Sequence, residues 1–473
     1  MTKQQLLIHK NLTLAKGITW LTSELSDSLL FKSDDLTLSK INQLKNENQD
    51  MKYIVSWLEE YSTIKLNDVA KKSLMQQNHH IINDANHLSI RELKPLIIPK
   101  NGDDKNNNYQ TSQNQIPNIC SKEDLLNINQ EILQDIDKPT FDLFKLDDEV
   151  GKENTLSVIG FYIFTIYGFY DLIKYSKFEN FLQGITKGYI RKNPYHNDLH
   201  AADITHTCMI YLKYGGIDTF ANFDIYNLCA LFLSCIVHDF KHPGVTNNFL
   251  INTGSPLATR YNDTSVLENY HIAQTFKLIQ SNNMYNIFSE LDKNEILVIR
   301  KRMIHCVLST DMINHAKLYS FIKVSIEKYN ICKGENANKI FEKLDKVALY
   351  DMQQVFLDIV IHSCDISNPT KPLNIYDNWA DRVMNEFYLQ GDQEKKLGIP
   401  VSFLCDRDTT SKAQGQLGFI DGVVSPFFNS LVEIFPGLSF LITNLRINKE
   451  EYKKRKDDEE KKKYMLIKVT EVK

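Results

Sequence analysis

Apolar side chains in this chain recur every three to four residues over long stretches, and strand-type alternation is rare. The helical spacing is clear in "MKYIVSWLEEYSTI", "NLCALFLSCIVHD", "SVLENYHIAQTFKLIQ" and "DMQQVFLDIVIHSCD". The expected fold class is therefore all-α. "LCALFLSCIV", residues 228–237, is apolar on every side and predicts a helix buried all round. "TLSVIGFYIFTIYGFYDLI", residues 155–173, is the one stretch that approaches a membrane span. Its glycines, threonines and tyrosines, and an uncharged run short of a bilayer's thickness, predict a buried core helix instead.

The same patterning divides the chain. Residues 1–97 read as a smaller helical N-terminal region with room for a regulatory role. Residues 98–121 are almost wholly polar and read as a linker that buries too little to order itself. Residues 122–447 are dense in apolar and aromatic side chains and predict one compact multi-helix domain. Residues 448–473 carry mixed charge and read as an exposed tail or helix. The run 281–294 reads as solvated surface.

Composition adds three constraints. With 55 basic and 59 acidic side chains the net charge is only −4, which argues against nucleic acid as an obligate partner. The eight cysteines form no CxxC pair, and several sit in apolar runs, so they read as buried thiols of a reducing, cytoplasmic setting. "LAKGITWLTSEL" is too poor in basic residues for a calmodulin-binding helix. No integral membrane span is expected, and a homodimer stays open.

Nine of the thirteen histidines fall between residues 196 and 362, and that clustering points to chemistry. The apolar run 228–237 ends directly in His238 and Asp239, and "VFLDIVIHSCDISNP" delivers Asp365 just before Pro369. Two buried helices thus each present an acid at a C-terminal end, where the helix dipole disfavours anions. A buried carboxylate needs a partner. A cation between the two helices supplies it, with His200, His238, Asp239 and Asp365 as ligands. Two imidazoles and two carboxylates suit zinc or another first-row divalent ion. If Asp239 bridges, a second ion, magnesium or manganese, sits beside the first among carboxylate and water ligands. Such a pair clamps a phosphoryl group and generates hydroxide at neutral pH, so the reading is phosphoester hydrolysis. In "NPYHNDLHAADITH", His196 lies four residues before His200. On a helix it would share that face and could protonate a leaving oxygen. His206 lies round the helix and reads as a packing residue, as do His271, His305, His315 and His362.

At these residues the chain resembles the class I 3′,5′-cyclic nucleotide phosphodiesterases. The matching stretches are "NPYHNDLHAAD", "HDFKHPGVTNNF", "YNDTSVLENYH", "LSTDM", "CDISNP", "EFYLQGDQE" and "CDRDTTSKAQGQLGFID", in the family's order over roughly residues 135–440. The wording of the first and last is most similar to the calcium/calmodulin-stimulated subfamily. The resemblance implies an all-helical, HD-like catalytic domain that hydrolyses cyclic nucleotides to 5′-monophosphates. It implies His200, His238, Asp239 and Asp365 as ligands of two divalent ions, with His196 as general acid. His242 would lie near the phosphate, and Glu268 behind the metal-bound water and the acid. Gln416 would bond the purine edge, Phe419 and Val383 would clamp the base, and Asn368, Tyr195, Met312 and Tyr376 would line the pocket. Asn368 is the residue that cAMP-selective members often carry, so cAMP is the favoured substrate, with cGMP also open. Two departures stand out. Lys241 stands where many relatives carry an acid, at a position variable in the family, and its effect on the metal field is left open. Gly415 replaces a serine. Two competing readings are a wider HD-type phosphohydrolase acting on linear nucleotides, which Gln416 and Phe419 disfavour, and a cyclic-nucleotide sensor without turnover.

Overall fold

A computed structural model describes residues 133–151, 153–329 and 344–471. The expected N-terminal region 1–97 and linker 98–121 lie outside the described residues, as do Cys120 and Cys332. The described residues contain helices and no strand. In chain order the α-helices are α1 (Leu143–Val150), α2 (Thr155–Ile166), α3 (Tyr175–Gly188), α4 (Asp198–Gly215), α5 (Ile217–Phe220), α6 (Ile225–Val237), α7 (Asn247–Asn252) and α8 (Pro256–Arg260). They continue with α9 (Val266–Ser281), α10 (Lys293–Ser309), α11 (His315–Tyr329), α12 (Lys346–Asp365), α13 (Leu373–Leu397), α14 (Lys412–Phe419), α15 (Ser425–Ile434) and α16 (Ser439–Glu471).

Side-chain caps set many of the starts. Asp224 accepts from the Asn227 N–H ahead of α6, Asp345 from the Val347 and Ala348 N–H groups ahead of α12, and Asp292 closes a capping box with Glu295 ahead of α10. The apolar run 228–237 lies in α6, and Cys229 to Val237 are all buried. α4 is buried from Asp198 to Leu212 and packs against α2, α6 and α12. A polar side chain between Asp198 and Leu212 is therefore cut off from bulk water and is stabilised only by a partner inside the protein. α6 and α12 converge beside it and place His238, Asp239 and Asp365 next to His200.

The suspected membrane stretch is core helix α2, with Leu156 to Phe161 buried. One other run, Lys412–Ile434, is apolar and long enough to cross a bilayer. A π-turn at Ile420–Val424 interrupts its regular winding, and Ala413, Gln416, Ile420, Phe427 and Leu431 bury against the domain. Cys208, Cys229, Cys235, Cys306, Cys364 and Cys405 are buried free thiols, as the composition suggested.

Two stretches read as solvated hold buried anchors. α16 runs unbroken through residue 448. Asn448 is fully buried and donates to the carbonyls of Pro369 and Lys371 at 2.8 Å each, while Tyr452 and Arg455 bond Asp377. The charged pattern belongs to one exposed face of a helix whose other face is docked. Within 281–294, Ile287 and Phe288 are buried, so that surface run carries an apolar anchor.

The loop after α13 packs hard against that helix. A Cβ on Gly391 would stand 1.9 Å from the carbonyl oxygen of Cys405. Gly391→Ala is therefore expected to destabilise the domain by about 1–3 kcal/mol through overpacking, read as a lower urea midpoint at unchanged m. An unchanged midpoint would show that the loop yields freely.

Candidate metal centre and active site

Four donor atoms converge where α4, α6 and α12 meet. His200 Nε2 lies 3.1 Å from Asp365 Oδ1, 3.3 Å from His238 Nε2 and 3.6 Å from Asp239 Oδ2. His238 Nε2 lies 3.2 Å from Asp239 Oδ2 and 3.6 Å from Asp365 Oδ1. Zinc with ligands at 2.0–2.1 Å in a tetrahedron requires donor separations of about 3.3–3.4 Å. These five edges straddle that value. The His238 tautomer agrees: its Nδ1 donates to the Cys235 carbonyl at 2.9 Å, which leaves the Nε2 lone pair turned into the cluster. The residues therefore fit a divalent ion.

A second cluster adjoins the first. His271 Nδ1 donates to the Phe240 carbonyl at 2.8 Å, so its Nε2 lone pair faces Asp239 Oδ1 at 3.6 Å without a hydrogen-bond partner. Two acceptors facing one another across that gap suit a cation or its water between them. A ring nitrogen of His242 lies within 4.8 Å of the facing Asp239 and His271 atoms. His271, read from the sequence as packing, thus belongs to the site.

His196 is not on a helix with His200. Asn197 caps α4, accepting from the Leu199 and His200 N–H groups at 3.0 and 3.4 Å, and His196 lies in the preceding turn. The two rings still come within 5.8 Å. His196 is aimed by Glu386 of α13. One carboxylate oxygen pairs with Nδ1, and the other accepts the backbone N–H groups of Tyr195 and His196 at 2.9 and 3.0 Å. Burial disfavours charge on both partners, but Glu386 and Asp239 outweigh it for His196 and push its pKa up to about 9. The Glu386 carboxyl, against the same burial, is held down to about 2 by His196. His242 stacks on His196 at 4.1 Å. Its Nδ1 accepts from Gly244 N–H at 3.0 Å, so the ring proton sits on Nε2. Burial and the neighbouring His196 keep it neutral.

Glu268, near the start of α9, accepts from the Asn247 amide at 3.0 Å, and burial together with Asp311 pushes its carboxyl up to about 7. Lys241 adopts the left-handed region at φ 64°, and its ammonium donates to Gln274 of α9 at 3.3 Å. The ammonium thus has a partner on the helix that carries His271. At Gly415 a Cβ would meet Leu404 only at 3.4 Å, so a serine would fit there.

The pocket residues fall into groups. Gln416 is buried on α14, and its Oε1 accepts from the Tyr376 hydroxyl at 2.7 Å. Tyr195 and Asn368 are joined through a hydrogen bond of 2.6 Å. Phe419 lines a cleft of about 720 Å³ together with Leu404, Gly415 and Val423. Val383 is half-buried on α13, packed against the core. Met312 is 45% exposed on the short turn Met312–Asn314, not in a buried wall.

Residues 195–445 match the sequence profile of 3'5'-cyclic nucleotide phosphodiesterases. The chain belongs to that family. It is 37% identical over 278 residues to the 3',5'-cyclic-AMP phosphodiesterase, isoform F, of Drosophila melanogaster, a match covering 58% of this chain and 40% of the relative. The chain spans less than half the length of the curated relatives it matches most strongly. A crystal structure of the phosphodiesterase domain of the RhoPDE fusion protein from the choanoflagellate Salpingoeca rosetta superposes with a TM-score of 0.60 at 28% identity, covering 70% of this chain and all of that one. The family named from the motifs is the one found, and the all-helical fold agrees with it.

Glu386 was missed by the sequence reading. It stands 190 residues from His196, beyond any periodicity. A signal existed: the buried stripe of α13 runs through Tyr376, Trp379 and Ala380 into Glu386, Gln390 and Glu394, placing acids at core positions.

Proposed function

We propose that this family member hydrolyses 3′,5′-cyclic nucleotides, cAMP in preference to cGMP, to 5′-nucleoside monophosphates with the help of two divalent ions. The observation that carries the reading is the four-donor cluster of tetrahedral spacing set directly beside a charged His196–Glu386 pair. Zinc would be held by His200, His238, Asp239 and Asp365, and magnesium or manganese by Asp239 among waters. Bound there, the ions would supply Lewis acidity toward the phosphate and a nucleophilic hydroxide.

The protein's own part follows from geometry. His196, kept protonated through neutral pH by Glu386, donates to the departing 3′ oxygen. Neutral His242 offers its Nε2–H beside it. Gln416, steadied by Tyr376, presents its amide to the purine edge, with Phe419 and Val383 on either side of the base. The cAMP preference is supported by the name of the Drosophila relative. A cytoplasmic setting is supported by the buried free thiols.

The test is turnover of cAMP, cGMP and linear nucleotides by the purified full chain, with and without chelator, and with product identified. We expect 5′-monophosphate from cyclic substrates, abolished by chelation and restored by zinc with magnesium. Hydrolysis of linear nucleotides alone would support the wider phosphohydrolase reading. Tight binding without turnover in magnesium would support the sensor.

A further inference from the structure

Asn368 is committed to partners inside the protein. Its Oδ1 accepts from the Tyr195 hydroxyl, and its Nδ2 donates to Asp203 Oδ2 at 3.3 Å. Asp203, one turn after His200 on α4, also accepts from Lys371 Nζ at 2.7 Å, and Lys371 donates on to Thr207 at 2.8 Å. Asp203 and Asn368 are buried, and the Lys371 side chain is only 14% exposed. A carboxylate paired with an ammonium can only accept. It therefore dictates which end of the Asn368 amide faces it, and leaves the carbonyl oxygen for Tyr195. The Tyr195 ring in turn lies over His200, with centroids 4.5 Å apart, and meets His196 edge-on at 4.8 Å.

We infer that Asp203, held by Lys371, is a positioning residue that fixes Tyr195 against His200 and His196 through the Asn368 amide. The brace is closed from outside by α16, whose Asn448 and Asn444 hold the carbonyls of Pro369, Thr370 and Lys371 in the turn that carries Asn368. Asn368 acts here on the imidazoles, so the brace serves both nucleotides equally.

The inference rests on the hydrolase reading, and its test has one readout that does not. Tyr195→Phe keeps the ring and the Asp203–Lys371 pair but cuts the brace. Asp203→Asn and Asn368→Ala cut it elsewhere. In the full chain loaded with zinc and magnesium, each is expected to lower kcat roughly 5- to 10-fold for cAMP and cGMP alike, with KM within about twofold. The Tyr195→Phe/Asn368→Ala double variant should lose no more than the worse single one. Independently, zinc affinity of the metal-free chain, measured by competition with a chromophoric chelator, should fall roughly 10-fold in Tyr195→Phe at unchanged unfolding temperature. Wild-type kcat and zinc affinity in Tyr195→Phe would overturn the brace, as would additive losses. A shift of the cAMP to cGMP ratio in Asn368→Ala with wild-type zinc affinity would overturn it in favour of base reading. If the wild type turns over neither nucleotide, the hydrolase reading fails, and the zinc measurement still decides the brace.

Discussion

Asp239→Ala is expected to empty the metal centre and abolish turnover while the helical fold persists. The carboxylate is the one group shared by both clusters: Oδ2 faces His200 and His238 at 3.6 and 3.2 Å, and Oδ1 faces His271 at 3.6 Å. Removing it deletes a corner of the first cage and the anchor of the second. Lewis-acid stabilisation is worth several kcal/mol, so turnover should fall by about 10³ or more. Asp365→Ala removes a donor of the first cluster only and is expected to retain more metal than Asp239→Ala. Elemental analysis of the purified variants, with circular dichroism as the check on folding, reads this directly. Wild-type metal content in folded Asp239→Ala would show that the ions bind elsewhere.

His196→Ala should cost about 10²–10⁴ in kcat on cAMP with metal content retained, the usual worth of a general acid. The loss should be specific to substrates that need the proton. A cyclic phosphodiester with a p-nitrophenolate-like leaving group should react with the variant nearly as well as with the wild type, and equal losses on both would remove His196 from that role. Glu386→Gln tests the same pair from the other side. The carboxylate raises the His196 pKa toward 9, so the acid form, and with it activity, should persist to alkaline pH in the wild type. With the charge deleted, the alkaline limb of kcat/KM should move to lower pH. An unmoved limb would mean that the titration seen in the rate belongs to another group.

The residues that sequence reading missed share a cause. Glu386 meets His196 across 190 residues, and His271 on α9 meets Asp239 at the end of α6, so neither pairing leaves a periodic trace. The helical spacing to His200 predicts His196 on α4, whereas the helix starts at Asp198. Asn197, a favoured capping residue followed by Asp198, was the local sign that the helix begins one residue later. Lys241 carried a charge that could be read but a direction that could not, because a left-handed backbone turns its side chain toward Gln274.

Helix class, the burial of α2 and α6, the place of His238, Asp239 and Asp365 at the ends of α6 and α12, and the family itself were legible from the chain alone. Each of these depends on neighbours within about one helical repeat, or on motifs that lie contiguous in sequence. The aim of His196 by Glu386, the brace from Lys371 through Asp203 and Asn368 to Tyr195, and the docking of α16 across residue 448 needed the tertiary structure. They are contacts between buried polar groups on separate helices. Such groups have no water to turn to inside the domain, so each takes whichever partner the packing of those helices brings within hydrogen-bond reach.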